Sequence, residues 1–151
     1  MSQTTYSEQD KRTLAWVLDV IVPPSPDGRL PGAGEIGLAD VIETKSPDLA
    51  PGVVAGLEAL ESLARERGVA DLDRVPAADR PALLEALAES QPGFLPGLVF
   101  PTYVAYYEHP RVMEALGLEA RPPHPLGYEL EQGDLGLLDA VRARPKLYRD
   151  A

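Results

Sequence analysis

Residues 94–107 read FLPGLVFPTYVAYY, and the fold class turns on how that stretch is read. Val99, Phe100, Thr102, Tyr103, Val104, Tyr106 and Tyr107 are strand-favouring types, because β-branched and aromatic side chains fit a pleated surface. Val99, Tyr103 and Tyr106 or Tyr107 also recur at helical spacing, and Pro101 inside a helix kinks it without abolishing it. The helical reading is preferred. With it, the chain contains no convincing pair of strands.

Outward from that stretch the apolar residues keep the period of a helix. Ser7 is placed to cap a first helix, with Asp10 three residues on as in a capping box. Leu14, Val17, Leu18 and Ile21 then mark one buried face until Pro23 and Pro24 stop it. Residues 23–34 form a loop, and Leu38, Val41 and Ile42 lie on a short helix ending near Lys45. Pro51 suits the first turn of a third helix, with Val53, Leu57, Leu60 and Ala64 as its stripe and Gly68 just past its end. A fourth helix carries Leu83, Leu84 and Leu87, with Pro81 near its start. His109-Pro110 opens a short helix closed by Gly117, residues 119–133 are irregular, and Asp134 caps a last helix with Leu135, Leu138 and Val141. The expectation is an all-α chain: a single compact helical domain spanning 1–151, of five to seven helices with long Pro/Gly-rich loops.

A chain of 151 residues fits one domain and can hide about 70% of its unfolded surface. Its 24 acidic against 14 basic residues leave a net charge of −10, with no basic cluster. That balance argues against nucleic acid and against anionic lipid. With no cysteine, disulfides, thiolate catalysis and cysteine-ligated metals are excluded. The opening residues, MSQTTYSEQDKRTLAW, have no apolar signal core and no twin arginine. No apolar run approaches the roughly 20 residues that span a bilayer, so a cytoplasmic chain without membrane insertion is expected.

The side chains of catalysis are sparse. His109 and His124 are each flanked by proline and form no i, i+4 ligand pair; a cap and a loop residue explain them better than a metal site with Glu108. The glycines Gly32, Gly34 and Gly37 outline a dinucleotide fingerprint, but no strand precedes them. The acid pairs Asp71 with Asp73 and Glu129 with Glu131 are what so acidic a surface produces by chance. No catalytic, cofactor-binding or metal-binding residue is therefore expected. The unusual feature is aromatic: Tyr103, Tyr106, Tyr107 and Tyr128 cluster around Pro110, Pro122, Pro123 and Pro125. Tyrosine joins a large apolar face to a hydroxyl, which suits both a satellite core and a partner interface.

Several strings taken in order resemble the gluconate 2-dehydrogenase subunit 3 family. Leu14 to Asp19 followed by Val-Ile-Val-Pro23-Pro24 is similar to the family's L–x–D–x–I–I–P opening. Pro31-Gly32-Ala33-Gly34-Glu35, then Val41-Ile42, resembles P–G–A–x–E–x–G and F–I. Tyr106-Tyr107-Glu108-His109-Pro110 is similar to Y–Y–x–x–P, and Pro122 to Tyr128 resembles a closing P–x–x–G–Y. The resemblance spans residues 14–128.

That resemblance implies a small helical subunit, not an enzyme by itself, that binds and stabilises or matures a large dehydrogenase of the glucose–methanol–choline type. The large subunit holds FAD and acts on a sugar or sugar acid, often with a cytochrome c subunit taking the electrons. This sequence departs from exported members in lacking a twin-arginine signal. The partner interface is then expected at Pro23, Pro24, Pro31, Gly32, Glu35, Tyr106, Tyr107, His109, Pro110, Pro123 and Tyr128, on two proline-rich segments, 23–35 and 106–128. Two rivals stand beside it: a stand-alone enzyme or ligand binder with a pocket near Tyr106, Tyr107, His109 and Tyr128, and a helical scaffold for an unrelated partner.

Overall fold

A computed structural model describes residues 5–122 and 124–145, and within them the chain forms seven α-helices, three short 3-10 turns and no strand. In order the helices are α1 (Glu8–Ile21), α2 (Leu38–Lys45), α3 (Ala50–Glu66), α4 (Arg80–Ser90), α5 (Phe94–Glu108), α6 (Pro110–Ala115) and α7 (Asp139–Arg142). The all-α class expected from the sequence holds.

Most helix ends follow from local chemistry. The Ser7 hydroxyl accepts from the Asp10 amide while the Asp10 carboxylate accepts from the Ser7 amide, so two orphan donors of α1 are satisfied reciprocally. Pro51 and Pro81 lie in the first turns of α3 and α4, where a missing amide costs nothing. Gly68 and Gly117 follow α3 and α6 at φ +78°, the left-handed turn that closes a helix.

The core of the body gathers Leu14, Val17 and Leu18 from α1, Val53, Leu57, Leu60 and Ala64 from α3, and Leu83, Leu84 and Leu87 from α4. Helix α1 packs on α2, α3 and α5, while α4 packs on α3 and α5. Trp16 of α1 donates its indole N–H to the Leu72 carbonyl at 2.8 Å, which fixes the 3-10 turn Leu72–Arg74 against the body.

Helix α5 is where sequence and structure part company. It buries Phe94, Leu98, Thr102, Ala105 and Tyr106. That stripe lies one residue before Val99 and Tyr103, a rotation of about 100°, and of the two alternatives Tyr106 and Tyr107 it takes Tyr106. A helix apolar all the way round does not encode which face turns inward. Buried Thr102 satisfies itself, its hydroxyl donating to the Leu98 carbonyl at 2.6 Å. Pro101 sits inside α5 without ending it.

The chain divides at Arg121 into this helical body and a C-terminal segment beginning at Pro122. In that segment residues 127–134 are irregular. The Asp134 carboxylate accepts from the Gly136 amide at 2.9 Å and starts the 3-10 turn Leu135–Leu138, which runs into α7.

Candidate functional site

Residues 31–34 are where α1 and α5 meet the long loop. After Pro23 and Pro24 the chain turns back on itself, with the Ser25 amide donating to the Leu30 carbonyl at 2.9 Å. Three further hydrogen bonds then pin the loop. The Ala33 amide donates to the Val22 carbonyl at 2.9 Å, and the Gly34 amide donates to Asp19 Oδ1 at 2.7 Å. The Tyr106 hydroxyl donates to the Pro31 carbonyl at 2.8 Å.

Both glycines of this turn are demanded by close approach. A Cβ on Gly32 would lie 2.3 Å from Asp19 Oδ1, and one on Gly34 would lie 2.2 Å from the Ala15 carbonyl oxygen. Backbone does not step aside as a flexible side chain can, so only glycine fits at Gly34. Burial pushes the Asp19 carboxyl above the usual carboxylate range; the Gly34 N–H opposes this, Glu35 adds to it and Arg80 lessens it. The Gly-x-Gly pattern is thus a packing device against α1.

The outer face of α5 is of another kind. Val99, Phe100, Tyr103, Val104 and Tyr107 are all exposed, Phe100 at 76% and Tyr107 at 55%, whereas Tyr106 is only 2% exposed. The rings of Tyr103 and Tyr107 stack with centroids 6.2 Å apart, and Tyr107 meets Tyr106 edge-on at 5.4 Å. Helix α5 has no charged residue before Glu108. Glu108 forms an ion pair with Lys45 of α2. Beside that pair a groove of about 260 Å³ runs between α2 and α5, lined among others by Val41, Phe100, Pro101 and Val104.

The candidate interface residues thus separate. Pro31, Gly32 and Tyr106 are buried together under the loop, while Pro23, Pro24, Glu35, Tyr107 and Pro110 are exposed. His109 is half-buried and caps α6, its Nδ1 accepting from the Arg111 amide at 3.3 Å. In the C-terminal segment Tyr128 is half-buried, and Pro123 lies outside the described residues. Phe100 and Val104 were not among the expected interface residues, although eighteen uncharged residues in a row, 90–107, were the available signal.

Cavities of about 290 Å³ beside Trp16, Arg12 and Glu61 and of about 210 Å³ beside Val53 and Phe94 lie elsewhere on the body. None of the three cavities is lined by Tyr106, Tyr107 or His109. Among the described residues no three His, Asp or Glu side chains converge as a metal site needs, and no helix is long and apolar enough to cross a membrane.

A sequence model described as Gluconate 2-dehydrogenase subunit 3 matches residues 8–121. The chain belongs to the gluconate 2-dehydrogenase subunit 3 family. No curated protein and no solved structure matches it. The family match ends with the helical body at Arg121, so the Pro122–Tyr128 string lies beyond it. In this member of the family, the Asp19, Pro31-Gly32-Ala33-Gly34 and Tyr106 strings meet at a single pinned loop.

Proposed function

We propose that this family member is a non-catalytic accessory subunit that binds and stabilises or matures a large FAD-dependent sugar or sugar-acid dehydrogenase of the glucose–methanol–choline type. The observation that carries this reading is the outer face of α5. A contiguous set of Phe100, Val104, Tyr103 and Tyr107 in water is unfavourable for a monomer, and such patches mark interfaces. Aromatic anchors at the centre of a patch supply most of the energy of association. Exposed Pro23, Pro24, Glu35, Pro110 and half-buried His109 supply the rim, while Pro31, Gly32 and Tyr106 hold the loop from inside.

In this reading FAD and hydride transfer belong to the large subunit, a cytochrome c subunit receives the electrons, and the small chain contributes surface complementarity. The cysteine-free composition suits a reducing compartment such as the cytoplasm. The test is a search for a flavoprotein oxidoreductase encoded beside this chain, then co-expression of the two and gel filtration. Co-elution with raised flavin content is expected. Separate elution with flavin content unchanged, or the lack of any neighbouring oxidoreductase, overturns the reading.

A further inference from the structure

The cleft beside Trp16 is polar where two packed helices are ordinarily apolar. Gln9, Arg12, Thr13 and Trp16 line it from α1 at i, i+3, i+4 and i+7, the spacing of a single helical stripe. Glu61 and Arg65, four residues apart, line it from α3, and the turn Leu72–Arg74 borders it on a third side. At about 290 Å³ it is larger than the other two cavities of the body. Its inner end is already built. Buried Thr13 donates its hydroxyl to Glu61 Oε1 at 2.8 Å, and Gln9 Nε2 donates to the same oxygen at 3.0 Å. Trp16 is fixed by the Leu72 carbonyl on one side and by the Arg80 guanidinium, 5.2 Å from its ring centre. A frame held in this way has little order left to gain when a ligand enters.

The charges of the cleft, by contrast, are left open. Asp71 pairs with Arg74 at 3.6 Å, which leaves Arg12 and Arg65 beside Glu61 and Asp73, two of each sign. Each guanidinium makes one neutral hydrogen bond, Arg12 to Gln9 at 2.7 Å and Arg65 to Ser62 at 3.4 Å. Among the described residues neither is ion-paired to a carboxylate. We infer that this cleft binds a small zwitterion of the amino-acid type, its carboxylate on Arg12 and Arg65 and its ammonium on Glu61 and Asp73. A guanidinium offers a carboxylate parallel N–H donors, and a carboxylate accepts readily from an ammonium. Equal numbers of the two signs favour a ligand without net charge, and the −10 of the whole chain opposes a simple anion. The volume lies at the small end of the range for ligand sites, which suits a molecule of amino-acid size. The site lies apart from the outer face of α5 and does not depend on the accessory-subunit reading.

Trp16 is the sole tryptophan, so indole fluorescence reports on this cleft alone. The test titrates the full chain with each non-aromatic protein amino acid at millimolar concentration. Acetate and methylammonium serve as half-ligands, and gluconate as a carboxylate without an ammonium. At least one amino acid is expected to change the emission saturably and to raise the melting temperature by a few degrees, while the three controls do neither. Arg65→Gln and Asp73→Asn each alter an exposed side chain and are expected to leave the free chain's melting temperature unchanged. Each should weaken binding about tenfold or more. The absence of a saturable response to every amino acid overturns the inference. An equal response to any of the three controls also overturns it, because one charge would then suffice. Binding at natural strength by both variants places the ligand elsewhere and overturns it too. The accessory-subunit reading stands in each case, since no partner enters the experiment.

Discussion

Asp19 shows how one side chain can set a loop at a cost. Its carboxylate is held half-buried to accept from the Gly34 amide, and burial raises its pKa above the ordinary value of about 4. A folded-state pKa above the unfolded one means that the folded protein keeps this proton where the unfolded chain has lost it. The stability from this group is therefore greatest below the ordinary value and is lost as pH rises through the raised one. Asp19→Asn keeps an oxygen acceptor without the charge. It should melt no lower than the natural chain at neutral pH and lose this group's share of the pH dependence, read from melting curves between acid and neutral pH. Asp19→Ala strands the Gly34 amide and should cost about 1–3 kcal/mol in denaturant unfolding. Two tyrosines make a similar contrast. The Tyr106 hydroxyl donates to the Pro31 carbonyl, whereas the buried Tyr6 hydroxyl has no partner among the described residues. Tyr106→Phe should lose about 1–2 kcal/mol, and Tyr6→Phe should be neutral or slightly stabilising, both measured by denaturant midpoints.

Helices were readable where their ends are chemical and unreadable where only packing decides. Ser7 with Asp10, Pro51, Pro81, Gly68 and His109 each mark a boundary through hydrogen bonding or backbone geometry that a few neighbouring residues determine. The inward face of α5 depends instead on α1, α2, α3 and α4, against which it packs, and no local pattern distinguishes Tyr106 from Tyr107. The glycines behave likewise. Gly32 and Gly34 fall on the outline of a dinucleotide fingerprint, and the reason for them is a close contact with α1, some fifteen residues earlier in the chain. Gly56 is the clearest case within a helix. It lies mid-way along α3, where glycine costs roughly 1 kcal/mol against alanine. A Cβ there would sit 2.1 Å from the ring of Phe94. Gly56→Ala should therefore destabilise the protein by about 1–3 kcal/mol despite its better helix propensity, seen as a lower melting temperature. Stabilisation would mean that Phe94 moves aside freely.

The molecule combines a net charge of −10, which keeps it dispersed, with an apolar face of α5 that is exposed among the described residues. These two facts are reconciled if the face is reserved for a partner and the charge discourages every wrong one. The sequence announced the all-α class and the family, but not that Tyr106 is a buried loop anchor while its neighbours Tyr103 and Tyr107 are exposed. The division makes an association prediction that the undivided cluster could not. Tyr107 touches Tyr106 only edge-on and is otherwise half in water, so Tyr107→Ala removes little that holds the free chain together. It should leave the melting temperature nearly unchanged while weakening the complex with the flavoprotein by about 1–3 kcal/mol, and Phe100→Ala should act in the same direction. Tyr106→Ala instead opens a hole beneath the loop and should destabilise the free chain by about 3–5 kcal/mol, with any loss of binding following from that. Calorimetric titration beside melting curves separates the two. If Tyr107→Ala and Phe100→Ala both bind at natural strength, the face of α5 is not where the large subunit rests, whatever the family resemblance implies.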